Sequence, residues 1–344
     1  MKLKLKVILI VLLSIIIIFA VSQSKAPEKG DVSIAVTGDV MFSRNMPSVL
    51  SLDSSPFESV GNITSNVDLL LVNFENAATT SSNPLKGDVP LKCSPEYVPL
   101  LKANNRTVAA LANNHVMDYG VSGMNDTLNH LKNNNIPSIG AGLNESEAHE
   151  AYVQNISGRK ITVLNYMDQN NFKEYAYSTM PYANDTHPGY SAYDLSDVQR
   201  QISKNNDSDL IIVYMHFGNE YSTSPNSEQI TIAHDLIDSG VDVVLGSHPH
   251  VTQGIEMYNG KPIFYSLGNF IFDQSNPATH YAYFVEIDMI NDTGKCSVYP
   301  VYINNYLPEF MSENQSNDML KTLSDDLEIQ NGVGKLEFNL TDEV

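Results

Sequence analysis

Tryptophan is absent from these 344 residues, cysteine occurs twice, and basic residues are half as numerous as acidic ones. Each scarcity removes a class of explanation. Two cysteines, Cys93 and Cys296, cannot staple a small disulfide scaffold or fill a thiolate zinc site. They form one bridge in an exported protein or remain two free buried thiols. Lys and Arg number 20 against 40 Asp and Glu, giving a formal charge of −20 and a pI near 4.6. So acidic a surface repels nucleic acid and anionic headgroups, so neither is a charge-driven partner. Long apolar runs are scarce too. The one that stands out, Val7 to Val21, is interrupted only by Ser14 and falls short of the about 20 residues of a full membrane span. Lys2, Lys4 and Lys6 precede it, the polar stretch Ser22 to Gly30 follows, and no cysteine stands there to accept lipid. That layout fits a signal peptide or an uncleaved membrane anchor, with a mediocre cleavage site at Phe19-Ala20-Val21-Ser22. Either way the body faces outward by the positive-inside rule, attached to the cell membrane or secreted after cleavage.

The rest is globular, 42% hydrophobic with 18 Tyr and 12 Phe. Short, nearly continuous apolar runs predict strands at Val32–Thr37, Asp68–Asn73, Thr107–Ala112, Ile161–Tyr166, Leu210–Met215, Val241–Leu245 and Ile263–Ser266. Such runs suit strands covered on both faces. Between them lie predicted helices at Ser122–Asn134, Asp194–Lys204 and Ser227–Ser239, and the alternation indicates a layered α/β domain. From Tyr281 the texture changes to alternation. Tyr281–Met289 and Cys296–Ile303, separated by the turn Asn291-Asp292-Thr293-Gly294, read as an antiparallel hairpin added to the same sheet system. A helix near Asn317–Glu328 and a strand at Lys335–Leu340 close the chain. The expected organisation is therefore 1–30 as signal or anchor plus linker, 31–273 as the main domain, and 274–344 as a hairpin and acidic tail packed on it.

The strand ends carry the chemistry. In order they read Gly38-Asp39-Val40-Met41, Asn73-Phe74-Glu75, Asn113-Asn114-His115 with Asp118 and Gly120, His216-Phe217-Gly218-Asn219-Glu220-Tyr221, Gly246-Ser247-His248-Pro249-His250 and Ser266-Leu267-Gly268-Asn269-Phe270. Functional groups in open α/β sheets gather where strands pass into loops. Taken singly, each residue has an ordinary explanation. Asp39 could cap a helix, Glu75 could be a loop carboxylate, His216 a hydrogen-bonded core imidazole, and Asn114 and Asn269 turn amides. Together they place carboxylates, an amide and imidazoles on one rim if the strands are neighbours. Mixed oxygen and nitrogen ligation suits Mn, Fe or Zn.

These motifs, in this order from about Val32 to Asp273, resemble the poly-gamma-glutamate capsule biosynthesis proteins of the CapA type, a family related to the calcineurin-like metallophosphatases. The resemblance implies a four-layer α/β/β/α sandwich with a metal site at the sheet edges, here preceded by one hydrophobic N-terminal helix. It also implies roles. Glu75 would bridge two divalent ions, with Asn114, His216 and His248 completing one site and Asp39 with His250 holding the other. His115, with Asp118 beside it, would be the catalytic or phosphate-stabilising imidazole. Glu220, Gln253 and Asn269 are further candidates to face the substrate, with Gln253 and Gly268-Asn269 read equally as residues that support the ligands or shape the loops. The chain departs from the phosphatase pattern at Met41, where a His stands in Asp-x-His, and a thioether is a poor ligand for such ions. Glu75 likewise replaces an Asp. One well-supplied and one depleted metal position are expected, holding one or two ions.

Three functions follow as expectations: an exported capsule factor acting on poly-gamma-glutamate or a similar anionic polymer beside other polymer-synthesis subunits, a metal-dependent phosphoesterase, and a non-catalytic assembly subunit keeping only the fold.

Overall fold

The computed structural model describes residues 29–340 except 86, 88, 105 and 173–180. The expected signal or anchor lies outside them. Among the described residues no helix is long and apolar enough to cross a membrane.

The apolar runs become strands because each can be covered on both faces. β1 (Val32–Val40), β2 (Leu69–Phe74), β3 (Thr107–Ala110) and, after helix α1 (Gly120–Asn133), β4 (Ser138–Ile139) lie side by side in that order, all parallel. A second sheet follows. β5 (Tyr152–Ile156) is antiparallel to β6 (Arg159–Met167), and α2 (Leu195–Lys204) leads to β7 (Leu210–His216), parallel to β6. Then α3 (Ser227–Asp238) leads to β8 (Val243–Ser247), and β9 (Ile255–Tyr258) and β10 (Lys261–Phe264) complete the spatial order β9-β10-β8-β7-β6-β5. The chain now returns to the first sheet. β11 (Asn269–Ile271) runs parallel to the last residues of β1, and β12 (Tyr281–Ile290) pairs antiparallel with its first half. β13 (Thr293–Asn304), β14 (Leu307–Phe310), α4 (Glu313–Leu323), β15 (Glu328–Gln330) and β16 (Val333–Asn339) extend that side.

The two-residue period of a strand sorts the apolar side chains into separate cores. Ile34, Val36, Leu69, Leu71 and Val108 of the first sheet meet Ile161, Val163, Ile212, Tyr214 and Leu245 of the second. Their alternates turn outward: Ala35, Leu70, Val72 and Ala109 pack with Met124 and Leu131 of α1. On the far side Leu164, Ile211, Val213 and Val244 pack with Val198 of α2 and Ile232, Ala233 and Leu236 of α3. The result is a mixed α/β fold of two packed sheets with helices on their outer faces. Each fully buried Val, Leu or Ile contributes about 1.5–3 kcal/mol, so the sheet faces dominate stability.

Several boundaries differ from expectation. β1, β2, β6, β7 and β8 run further toward one edge than their apolar runs suggest, with β8 reaching Ser247 rather than stopping at Leu245, whereas β3 ends at Ala110 and β10 at Phe264, two residues early. The helix expected at Asn317–Glu328 instead begins at Glu313, because Ser312 and Gln315 form a capping box, and Glu328 enters β15. The β12–β13 turn is tighter than a four-residue loop: Ile290 pairs directly with Thr293, and Asn291 takes a φ of +53°. Cys93 and Cys296 are free, and they sit in separate cores on opposite faces of the first sheet. Burial pushes the Cys93 thiol up to about 12 and raises Cys296 as well.

Candidate metal centre

The site begins with an irregularity in β1. Its register with β2 breaks between Val36 and Asp39. At the break Gly38 lies against the Gly268 carbonyl, where a Cβ would stand 1.9 Å from the oxygen. That approach lets the Asp39 amide donate to Gly268 at 3.1 Å and sets Asp39 opposite both Asn73 and Asn269. From the facing sheet the Tyr214 hydroxyl donates to the Thr37 carbonyl at 2.7 Å. The bulge thus aims Asp39 at the edge where β2, β7 and β8 also end.

Five strand ends, those of β1, β2, β3, β7 and β8, now supply side chains to one small volume. Asp39, Glu75, Asn114, His216, His248 and His250 are all at most 3% exposed, and His115 is 6% exposed. His216 is the hub. Its Nε2 lies 3.1 Å from both Asn114 Oδ1 and His248 Nδ1, and 3.9 Å from Glu75 Oε1. On the other side of Glu75, His250 Nε2 stands 3.9 Å from Oε1, and His250 Nδ1 lies 3.2 Å from Asp39 Oδ2. The contacts therefore fall into two groups that share Glu75. Asp39, Glu75 and His216 each offer a ligand atom within 4.8 Å of the others.

Buried amides and hydroxyls hold these groups in place. Asn73 donates to Asp39 Oδ1 at 2.7 Å and accepts from Asn113 at 3.0 Å. Ser247 Oγ lies 3.0 Å from His216 Nδ1, so accepting the Nδ1 proton would leave Nε2 as the lone-pair nitrogen. Asn269 Oδ1 does the same for His250 at 2.9 Å. His248 and His250 have φ of +98° and +59°, a region unfavourable to any residue but glycine, so the Ser247-to-His250 turn is held under local strain. Burial, with the neighbouring His250 charge, pushes His248 down to about 4, so it stays neutral and able to ligate at pH 7. Burial alone would raise Asp39, but the His250 imidazole and the Asn73 amide hold its carboxyl below the ordinary range. Imidazoles, carboxylates and an amide oxygen without thiolate form a donor set that fits Mn, Fe or Zn.

The remaining candidates separate. His115 Nδ1 lies 2.6 Å from Asp118 Oδ2, and its Nε2 faces Glu75 Oε1 at 4.0 Å. Glu220 is half-buried near His248, whose titration it influences. Asn269 touches the cluster through His250. Gln253 spends its amide elsewhere, accepting from Gln229 and donating to the Ser222 and Ser224 carbonyls, which shapes the loop after β7. Met41 lies in the outer core of the first sheet, its sulfur 2.8 Å from the Ser43 amide. Sequence reasoning missed Asn73, Asn113 and Ser247 as positioning groups. Their one visible signal was a polar residue closing an apolar run.

The family described as "Bacterial capsule synthesis protein PGA_cap" matches residues 33–274. The "PGA biosynthesis protein CapA" of Bacillus subtilis (strain 168) is 35% identical over 282 residues, covering 80% of this chain and 73% of that protein. The "Capsule biosynthesis protein CapA" of Bacillus anthracis is 31% identical over 302 residues, covering 84% and 72%. A "Probable polyglutamine synthesis accessory protein" of Mycobacterium tuberculosis is 29% identical over 235 residues, covering 65% and 60%.

Proposed function

The chain belongs to the bacterial capsule synthesis protein PGA_cap family, and from that premise we propose that it is an extracytoplasmic capsule factor acting on poly-gamma-glutamate through a divalent metal centre. Its fold is read as a four-layer sandwich of metallophosphatase type, and the Val7–Val21 segment as its membrane tether or export signal, working beside other polymer-synthesis subunits. One observation carries the reading. His216 Nε2, His248 Nδ1 and Asn114 Oδ1 meet at 3.1 Å spacings beside the Glu75 carboxylate, a convergence with little purpose unless a cation is shared. Asn114, His216, His248 and Glu75 would hold the tighter ion. Asp39 and His250, with Met41 turned into the core, would hold a weaker one.

When bound, the ion supplies Lewis acidity toward an oxyanion of the substrate. The chain's own groups do the rest. Asp118 fixes His115 so that Nε2 holds or delivers a proton at the substrate. Asn73 and Ser247 keep Asp39 and His216 aimed without a rearrangement at the moment of reaction. Glu220, half-buried, stands toward the polymer, while the buried Asn269 holds His250 in place.

Metal analysis of the purified protein tests the reading. One tightly held Mn, Fe or Zn ion per chain is expected, lost in His216→Ala. Unchanged metal content in His216→Ala and His250→Ala would refute the centre, and two tightly held ions would refute the depleted second position. The His115–Asp118 pair favours one other reading, a cell-surface phosphoesterase. Turnover of a simple phosphodiester with Mn²⁺, abolished in His248→Ala, would select it.

A further inference from the structure

A protein of charge −20 whose site gathers Asp39, Glu75 and Asp118 needs a cation near its opening if it handles an anionic chain. Arg44 stands there. Its backbone takes a φ of +53°, and the buried Asp273 clamps the turn: Oδ1 accepts from Arg44 Nε at 2.8 Å and from Nη2, while Oδ2 accepts from the Asn45 amide at 2.9 Å. The guanidinium lies 5.4 Å over the Phe272 ring, and the other side of the geometry is His250, whose ring centroid is 4.8 Å from Phe272. The Arg44 side chain is 33% exposed, whereas Asp273 is 1% exposed. Tyr221, 48% exposed with its ring 6.2 Å from His250, stands at the same opening. Burial raises the Tyr221 hydroxyl, Glu220 adds to the rise, and Arg44 opposes it, so the cation is felt across the opening.

Asp273 occupies the Nε and Nη2 side of the guanidinium. Among the described residues the Nη1 edge has no partner, and a planar fork held on one edge can take a second carboxylate on another. We propose that Arg44 is a specificity-determining residue that receives a carboxylate of the anionic chain at the mouth of the metal centre. The proposal rests on the poly-gamma-glutamate reading above. Phe272 and the Asp273 clamp preorganise the side chain, so little of its rotamer freedom remains to be lost on binding.

Calorimetric titration of the full chain with poly-gamma-glutamate of defined length tests it, with metal content and melting transition recorded for every variant. Arg44→Ala should weaken binding about tenfold or more with metal content unchanged, and Arg44→Lys should fall between, keeping the charge but not the fork. Asp273→Asn, which leaves the cation in place, should still bind. Native-like Arg44→Ala with wild-type affinity overturns the proposal. So does Asp273→Asn losing binding as fully as Arg44→Ala, because the pair would then act only as a brace. If Arg44→Ala loses its native melting transition, Arg44→Lys decides: a natively folded Arg44→Lys with wild-type affinity for the polymer would overturn the role of the guanidinium fork. A wild-type protein that ignores the polymer refutes the functional reading itself. Inorganic phosphate bound by the wild type, and lost in Arg44→Ala, would assign the residue to a phosphoester and overturn the carboxylate assignment.

Discussion

Gly38→Ala is the most stringent probe of how the site is built. No left-handed φ is involved, so the penalty is steric. The new Cβ would sit 1.9 Å from the Gly268 carbonyl oxygen and 3.0 Å from its carbon, both backbone atoms that cannot rotate away. Reaching ordinary contact requires β1 and the Gly268 segment to part by about 1.5 Å. The Asp39-to-Gly268 hydrogen bond, 3.1 Å in the native fold, then breaks. Overpacking costs about 1–3 kcal/mol and the lost buried hydrogen bond about 1 more, so a destabilisation of about 2–4 kcal/mol is expected. Against a total of about 5–15 kcal/mol that is a large fraction. Urea unfolding should show a lower midpoint with an unchanged slope, since the surface exposed on unfolding is the same. Asp39 moves with the backbone, so metal content should fall in the folded fraction. A variant with the wild-type midpoint and wild-type metal content would refute the role given to the bulge.

Three further outcomes follow from contacts away from the ligands or beneath them. Tyr214→Phe removes the hydroxyl that reaches across the two sheets to the Thr37 carbonyl, and should cost about 1–2 kcal/mol in chemical denaturation; no change would show that the carbonyl is satisfied otherwise. Burial would raise the Asp197 carboxyl, but His149, Tyr166 and Arg200 together hold it below its ordinary value. A depressed folded pKa gives stability that is present above about pH 4 and lost as the pH falls through the folded value. Asp197→Asn should therefore lower the melting temperature near pH 7 and flatten the acid limb, and an unaltered limb would contradict this. Cys93 and Cys296 should both resist a thiol reagent in the native protein and react after unfolding, because burial keeps each thiol protonated. Rapid native labelling of either would place it outside the core.

The parts legible in the sequence are those set by local rules. The strands were visible because parallel strands buried on both faces need unbroken apolar runs. Their ends were blurred because Asp39, Ser247 and His216 are polar residues that remain in the ladder. The C-terminal helix was displaced by a capping box that outweighed the apolar pattern around Asn317. Among the candidate residues, Gln253 could by type and position either face the substrate or shape a loop. Only its packing turned it toward Gln229 and two carbonyls. Arg44 and Asp273 gave no signal, since residues 229 positions apart reveal a pairing only when folded.

By itself the sequence determined the layered α/β architecture and the chemistry on offer: imidazoles, carboxylates and amides at successive strand ends, and no thiolate among them. Those follow from hydrophobic period and residue type, which act over a few neighbours. Only the tertiary structure decided which groups meet. Packing two sheets face to face brings His216 and His248 from one against Glu75 and Asn114 from the other. The bulge at Gly38 aims Asp39, and the Ser247 and Asn269 oxygens stand where they would accept the Nδ1 protons of His216 and His250. Such distances depend on register and on the close approach of distant backbones, and no local pattern encodes either.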